Sequence, residues 1–121
     1  MPERKRFLFL DDNKERHEHF EKMCEGLPVD VWHAWTAPQA ISRLARQEKF
    51  DTVFLDHDLD ETSGGDGLMV AEFIAYELPS SKRPPRIVVH SWNQPAARKM
   101  MAVLKEAGLS NVRYCRFSFD G

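Results

Sequence analysis

The chain has 121 residues, which fits a single domain over residues 1–121 and is long enough to bury a core without disulfide or metal staples. Apolar residues are 42% and charged residues 30%, ordinary for a soluble protein, with no internal repeat and no low-complexity segment. A net charge of −2 removes any global electrostatic case for nucleic-acid or membrane binding, leaving only a local basic patch open.

Cys24 and Cys115 lie far apart and in no metal-type spacing, so they read as two reduced core cysteines. Arg4-Lys5-Arg6 is basic, but only four apolar residues follow it, too few for a signal peptide. No run approaches the ~20 apolar residues of a membrane span. A cytoplasmic location is the expectation.

Taken in order, the first strand is predicted at about Arg6–Leu10, a continuous apolar run that ends in Asp11-Asp12. The first helix follows over about Asn13–Glu25. Asp12 with Glu15 has capping-box spacing, and Gly26 and Pro28 stop the helix. His17 and His19 are two apart and share no helix face, so both read as solvated. The second strand is predicted at about Val29–Ala34. Thr36-Ala37-Pro38-Gln39 opens a second helix to about Gln47, with an apolar stripe of Ile41, Leu44 and Ala45. Trp32 and Trp35 are expected to pack against helices.

The third strand, about Thr52–Asp56, runs into Asp56-His57-Asp58 and a polar loop to Gly67. Helix three covers about Leu68–Glu77. The prolines of 78–85 make that stretch a linker. The fourth strand, about Arg86–Val89, ends in His90-Ser91. Asn93 can cap a fourth helix with Pro95 in its first turn and Gly108 at its end. The fifth strand is predicted at about Asn111–Phe117. Strands alternating with helices specify a parallel α/β sheet in the order (βα)₄β, with right-handed crossovers. No fifth helix is expected after Phe119. One sheet face is then expected to be bare or covered by a partner, a homodimer among the options.

Sites in open α/β sheets form at the carboxyl ends of the strands. If the strands that carry them are neighbours, Asp11, Asp12, Asp56, Asp58, His57 and His90 meet in one crevice. Grouped carboxylates there suit a hard divalent cation, Mg²⁺ or Mn²⁺; the two histidines leave Zn²⁺ open. Asp56 ends the most hydrophobic strand, so it must be paired, metal-bound or facing a wet cleft. His57 and His90 are candidates for general acid, general base or ligand. Ser91 can donate a hydrogen bond to a phosphate oxygen, Trp92 beside Asn93 can stack on a base, and Arg116 can reach an anion. The loop glycines Gly64, Gly65 and Gly67 lack Walker spacing. No G-x-S-x-G elbow supports a serine nucleophile.

At these residues the chain resembles the response-regulator receiver domain over nearly its whole length. That resemblance implies a flavodoxin-like (CheY-like) three-layer sandwich with a five-stranded parallel sheet in the order 2-1-3-4-5, here without the C-terminal helix. It also implies that Asp11 and Asp12 bind metal, that Asp56 accepts a phosphoryl group, and that Asp58 lends a carbonyl to the ion. Two positions depart from it. His90 stands where the family has Ser or Thr, and the lysine after the fifth strand has no match, Arg116 being the nearest basic residue.

Leu-Asp-Asp, Leu-Asp-His-Asp-Leu and Val-Val-His-Ser look closer to the divergent receivers proposed to process cyclic phosphates. The resemblance implies metal-dependent hydrolysis of a cyclic nucleotide or a 2′,3′-cyclic phosphate, with Asp56, His57 and His90 catalytic. Two other readings stay open: a stand-alone phosphoacceptor, and a non-catalytic module that binds a nucleotide or a partner.

Overall fold

The computed structural model describes residues 4–46, 50–59, 65–77, 84–91 and 93–115. The expected sites Trp92 and Arg116 lie outside the described residues. So does the end of the predicted fifth strand.

Among the described residues, five strands and four helices alternate: β1 (Lys5–Leu10), α1 (Lys14–Cys24), β2 (Val29–Ala34), α2 (Ala37–Ala45), β3 (Thr52–Leu55), α3 (Gly67–Glu77), β4 (Arg86–Val89), α4 (Gln94–Glu106) and β5 (Val112–Tyr114). The strands are all parallel, in the order β2-β1-β3-β4-β5. This is the flavodoxin-like arrangement that the receiver resemblance implies. None of the helices among the described residues is long and apolar enough to cross a membrane.

Strand side chains alternate between two unequal layers, because successive Cβ atoms leave a strand on opposite sides. Leu8, Leu10, Val53, Leu55, Ile87 and Val89 point to one side, into the main core with Val70, Ile74, Met100 and Leu104 of α3 and α4. Phe9, Phe54 and Val88 point to the other and meet Phe20 of α1 in a small aromatic layer. There Phe9 stacks on Phe20 with centroids 4.3 Å apart. Both layers require the observed register, Leu8 beside Val53 and Phe9 beside Phe54. A slip of one residue would exchange every side chain between them.

Helix starts show which polar side chains hold the frame. Thr36 accepts from the Gln39 N–H and Asn93 from the Ala96 N–H, as the sequence predicts. At α1 the cap is Asn13, which accepts from the Arg16 N–H, and not Asp12 as the capping-box spacing suggested. The reason is one residue upstream: Asp11 Oδ1 accepts from the Asn13 N–H at 2.9 Å and sets where the helix begins. Asp12 is thereby left exposed at the crevice.

Candidate functional site

The order of the sheet makes β1, β3 and β4 neighbours, so their carboxyl ends form one crevice. Asp11 leaves β1 with its N–H on the Ala34 carbonyl, and Asp56 leaves β3 with its N–H on the Leu10 carbonyl. His90 leaves β4 with its N–H on the Leu55 carbonyl. The sheet ladder thus continues one residue past each strand and fixes the backbone beneath each side chain.

Asp11, Asp12 and Asp56 each place a carboxylate oxygen within 4.8 Å of the others. Asp11 and Asp56 are buried, Asp12 exposed. Arg16, one turn into α1, reaches both buried acids: its Nη1 is 3.4 Å from Asp11 Oδ2 and 3.9 Å from Asp56 Oδ2. One guanidinium does not balance this group. Burial, with the Asp11 charge adding and Arg16 opposing, pushes the Asp56 carboxyl up to about 8. Burial pushes Asp11 up to about 6, against the Asn13 N–H and Arg16. Buried carboxylates in excess of their counter-charge are the donor set a hard divalent cation takes, so these residues fit the metal that receiver-type acids imply.

The two histidines occupy opposite environments. His90 is buried, with its ring stacked on Phe9 at 5.0 Å and Nε2 facing the Leu10 carbonyl at 3.2 Å. Burial drives its pKa down to about 3, so it is neutral at ordinary pH. With the carbonyl fixing the Nε2–H tautomer, its Nδ1 turns toward Asp11 Oδ2 at 3.9 Å. His57 keeps 20% of its side chain in solvent and stands between two carboxylates, Asp58 at 2.8 Å from Nδ1 and Asp66 at 3.5 Å from Nε2.

Asp66 has a second task, accepting from the Met69 N–H at the start of α3. Asp58 also meets the Asn93 side-chain amide at 3.4 Å, so its carboxylate serves the rim and is not in the metal trio. Ser91 is fully buried, its hydroxyl accepting from the Asn93 N–H at 3.1 Å and its carbonyl from the Tyr114 hydroxyl at 2.8 Å.

The loop returns to the sheet at Gly67, whose N–H donates to the His57 carbonyl at 3.0 Å. A Cβ on Gly67 would collide with the Asp56 carbonyl and lie 2.8 Å from His57 Cα, so only glycine lets α3 start here.

Residues 6–106, up to the end of α4, match one family model, the cyclic-phosphate processing receiver domain. The chain belongs to the cyclic-phosphate processing receiver family. Among curated proteins, none matches. Solved receiver domains share the fold. A signal receiver domain of an HD domain-containing protein from Pseudomonas fluorescens Pf-5 has a TM-score of 0.71 at 21% identity, covering 93% of this chain and 82% of that one. The response regulator protein TrrA from Thermotoga maritima, crystallised with Mg²⁺ and BeF, has a TM-score of 0.70 at 20% identity, covering 96% of this chain and 89% of that one. A CheY-like receiver from Methanospirillum hungatei JF-1 has a TM-score of 0.71 at 17% identity, covering 95% and 84% respectively.

For this cyclic-phosphate processing receiver, sequence reasoning missed four residues near the site: Arg16, His17, His33 and Asp66. His17 was expected to be solvated and is buried. The signal was present, since His17, Phe20 and Cys24 recur at helical spacing and Phe20 and Cys24 face the aromatic layer. His17 Nε2 donates to the Asp11 carbonyl at 2.8 Å. Its Nδ1 meets His33 Nδ1 at 2.6 Å, and His33 Nε2 meets Glu21 at 2.6 Å. A side-chain chain thus runs from the surface to the backbone of Asp11.

Proposed function

We propose that this receiver opens the ring of a cyclic phosphate, a nucleoside cyclic phosphate or a 2′,3′-cyclic end, by metal-dependent hydrolysis. The observation that carries the reading is the group of three carboxylates within 4.8 Å of one another at a crevice whose next residue after Asp56 is a solvent-reaching histidine. Asp11, Asp12 and Asp56 hold the cation, and their all-oxygen set suits Mg²⁺ or Mn²⁺ better than Zn²⁺. When bound, it supplies Lewis acidity and charge neutralisation at the phosphoryl oxygens.

Hydrolysis forms one P–O bond to water and breaks one ring P–O bond, leaving a phosphomonoester and an alcohol. The leaving alkoxide needs a proton, and on this reading His57 gives it. Asp58 and Asp66 orient its ring from both sides, and its exposure lets it exchange protons with bulk water. His90, sealed and neutral, acts as a positioning residue, filling the space behind Asp11 where other receivers carry a small hydroxyl. Arg16 holds the carboxylates in place. A cyclic phosphate has no free terminal phosphoryl group, so the family's missing lysine grip is not needed.

The test is incubation with Mg²⁺ or Mn²⁺ and a panel of 2′,3′- and 3′,5′-cyclic mononucleotides and cyclic dinucleotides, with products read by chromatography. Ring opening that disappears in Asp56→Asn is the expected result. Turnover retained in both Asp56→Asn and His57→Ala sinks the mechanism. An intact panel, together with a stable phosphoryl mass increment on Asp56 from a small phosphodonor, assigns the phosphoacceptor role instead.

A further inference from the structure

The outer edge of the sheet carries a second concavity that the reaction above does not use. β2 is one of the two edge strands, and Trp35 follows its last residue, Ala34, whose carbonyl accepts from the Asp11 N–H at 3.2 Å. Trp35 is 37% exposed, large for an indole at a strand end. One face of its ring lies on His17, centroids 3.7 Å apart and planes 23° from parallel. His17 in turn holds the Asp11 carbonyl at 2.8 Å. One imidazole therefore bridges the main chain of Asp11 and the indole.

Trp35 and His33 stand between two hollows. One, of about 320 Å³, is bordered by Glu18 and Glu21 with a single Lys14, which disfavours an anion. The other, of about 570 Å³, includes Trp35 without His17, so it meets the indole away from the stacked imidazole. Among the described residues its wall includes Trp32, Gln39, Ser42, Arg43 and Arg46 and no carboxylate. Arg43 lies over the Trp32 ring at 5.2 Å, which sets its guanidinium against the wall. Gln39 is held by the Trp35 N–H, which donates to its Oε1 at 2.9 Å, leaving the amide nitrogen for other partners. The volume lies within the range of small-ligand sites. Aromatic faces, an amide and guanidinium groups are what a nucleobase and its sugar-phosphate recognise.

We propose that this groove is the nucleobase subsite, with Trp35 as its stacking platform, so that the substrate is a nucleoside cyclic phosphate and not a base-free one. The proposal rests on the hydrolase reading and deepens it.

The experiment uses the full chain carrying His57→Ala, which slows turnover and leaves the three carboxylates in place, with Mg²⁺. Affinities are measured by calorimetry for adenosine and cytidine cyclic phosphates and for glycerol 1,2-cyclic phosphate, which has the ring without a base. Stacking on one indole predicts at least about 10-fold tighter binding of the nucleotides. Adding Trp35→Ala should bring them down to the glycerol compound's level, and Trp35→Phe should retain an intermediate affinity. Arg43→Ala, on the Trp32 side of the same hollow, gives a second handle should Trp35→Ala melt early, and it should weaken the nucleotides alone.

Equal affinity for all three ligands overturns the proposal. So does unchanged nucleotide binding in a folded Trp35→Ala, or no nucleotide binding at millimolar concentration. Hydrolysis of the base-free ligand at the same rate as the nucleotides sinks this subsite and leaves the hydrolase intact. Trp35-dependent nucleotide binding without turnover in the wild type does the reverse.

Discussion

At the floor of the crevice, Asp11, Asp56 and His90 are buried on strand ends whose backbone is locked in the sheet ladder. At the rim, Asp12 and Asp58 are exposed and His57 and Asp66 are half-buried, all on loops. The residue types are the same, carboxylates and imidazoles, yet burial pushes the floor groups toward their neutral forms while the rim remains in water. On the proposed reading, the buried Asp11 and Asp56 carry the penalty that a cation would relieve, exposed Asp12 joins them from the rim, and proton transfer falls to His57.

The strongest way to break this comparison is at the floor. Asp56→Asn should cost several kcal/mol of transition-state stabilisation, on the order of 10³-fold in turnover, measured as kcat/KM on the best cyclic phosphate. The same residue governs stability in the metal-free protein, and the sign follows from its raised pKa. A carboxyl whose folded pKa lies above its unfolded value of 3.8 favours the fold when protonated. That contribution is complete below pH 4 and lost as pH rises through about 8 for Asp56 and about 6 for Asp11. Thermal melts in chelator should accordingly fall between pH 4 and 8, recover with Mg²⁺ at pH 8, and lose much of both effects in Asp56→Asn.

The rim is tested next. His57→Ala should lower kcat by about 10²-fold or more while leaving the Mg²⁺ affinity close to wild type, since it removes a proton donor and no metal ligand. Loss of metal binding in this variant would erase the distinction between floor and rim.

Gly67→Ala joins the two regions, because the new methyl meets the Asp56 backbone. Overpacking against a fixed strand end should cost about 3 kcal/mol, read as a drop in Tm of roughly 10 °C. The smallest effect is expected at Asp12→Asn. An exposed ligand contributes charge without stored burial, so the Mg²⁺ Kd should rise about 10-fold with little change in Tm.

Much of this architecture is legible in residue order. Phe7–Leu10, Val53–Leu55 and Ile87–Val89 are apolar without interruption, as strands covered on both faces must be, and the first polar residue after each marks the crevice. The cap of α1 was misplaced because Asp12 and Asn13 are both good caps, and the choice depends on where Asp11 points. His17 was misread because its spacing to His19 was weighed and its spacing to Phe20 and Cys24 was not. The contacts of His17 with His33 and Trp35 cross from α1 to β2 and its end. No local pattern encodes such a meeting, and only the sheet order brings it about.

The hydrogen bond from Gly67 to the His57 carbonyl has a consequence for how this site can diversify. The chain departs from the crevice at His57 and comes back to the same peptide ten positions later, so the excursion closes on itself before α3 begins. Lengthening a loop whose ends are already joined costs free energy only logarithmically in its length. Between Asp58 and Asp66, which flank His57, the length of chain can thus change at little cost to the fold while Asp11, Asp56 and Gly67 keep their places.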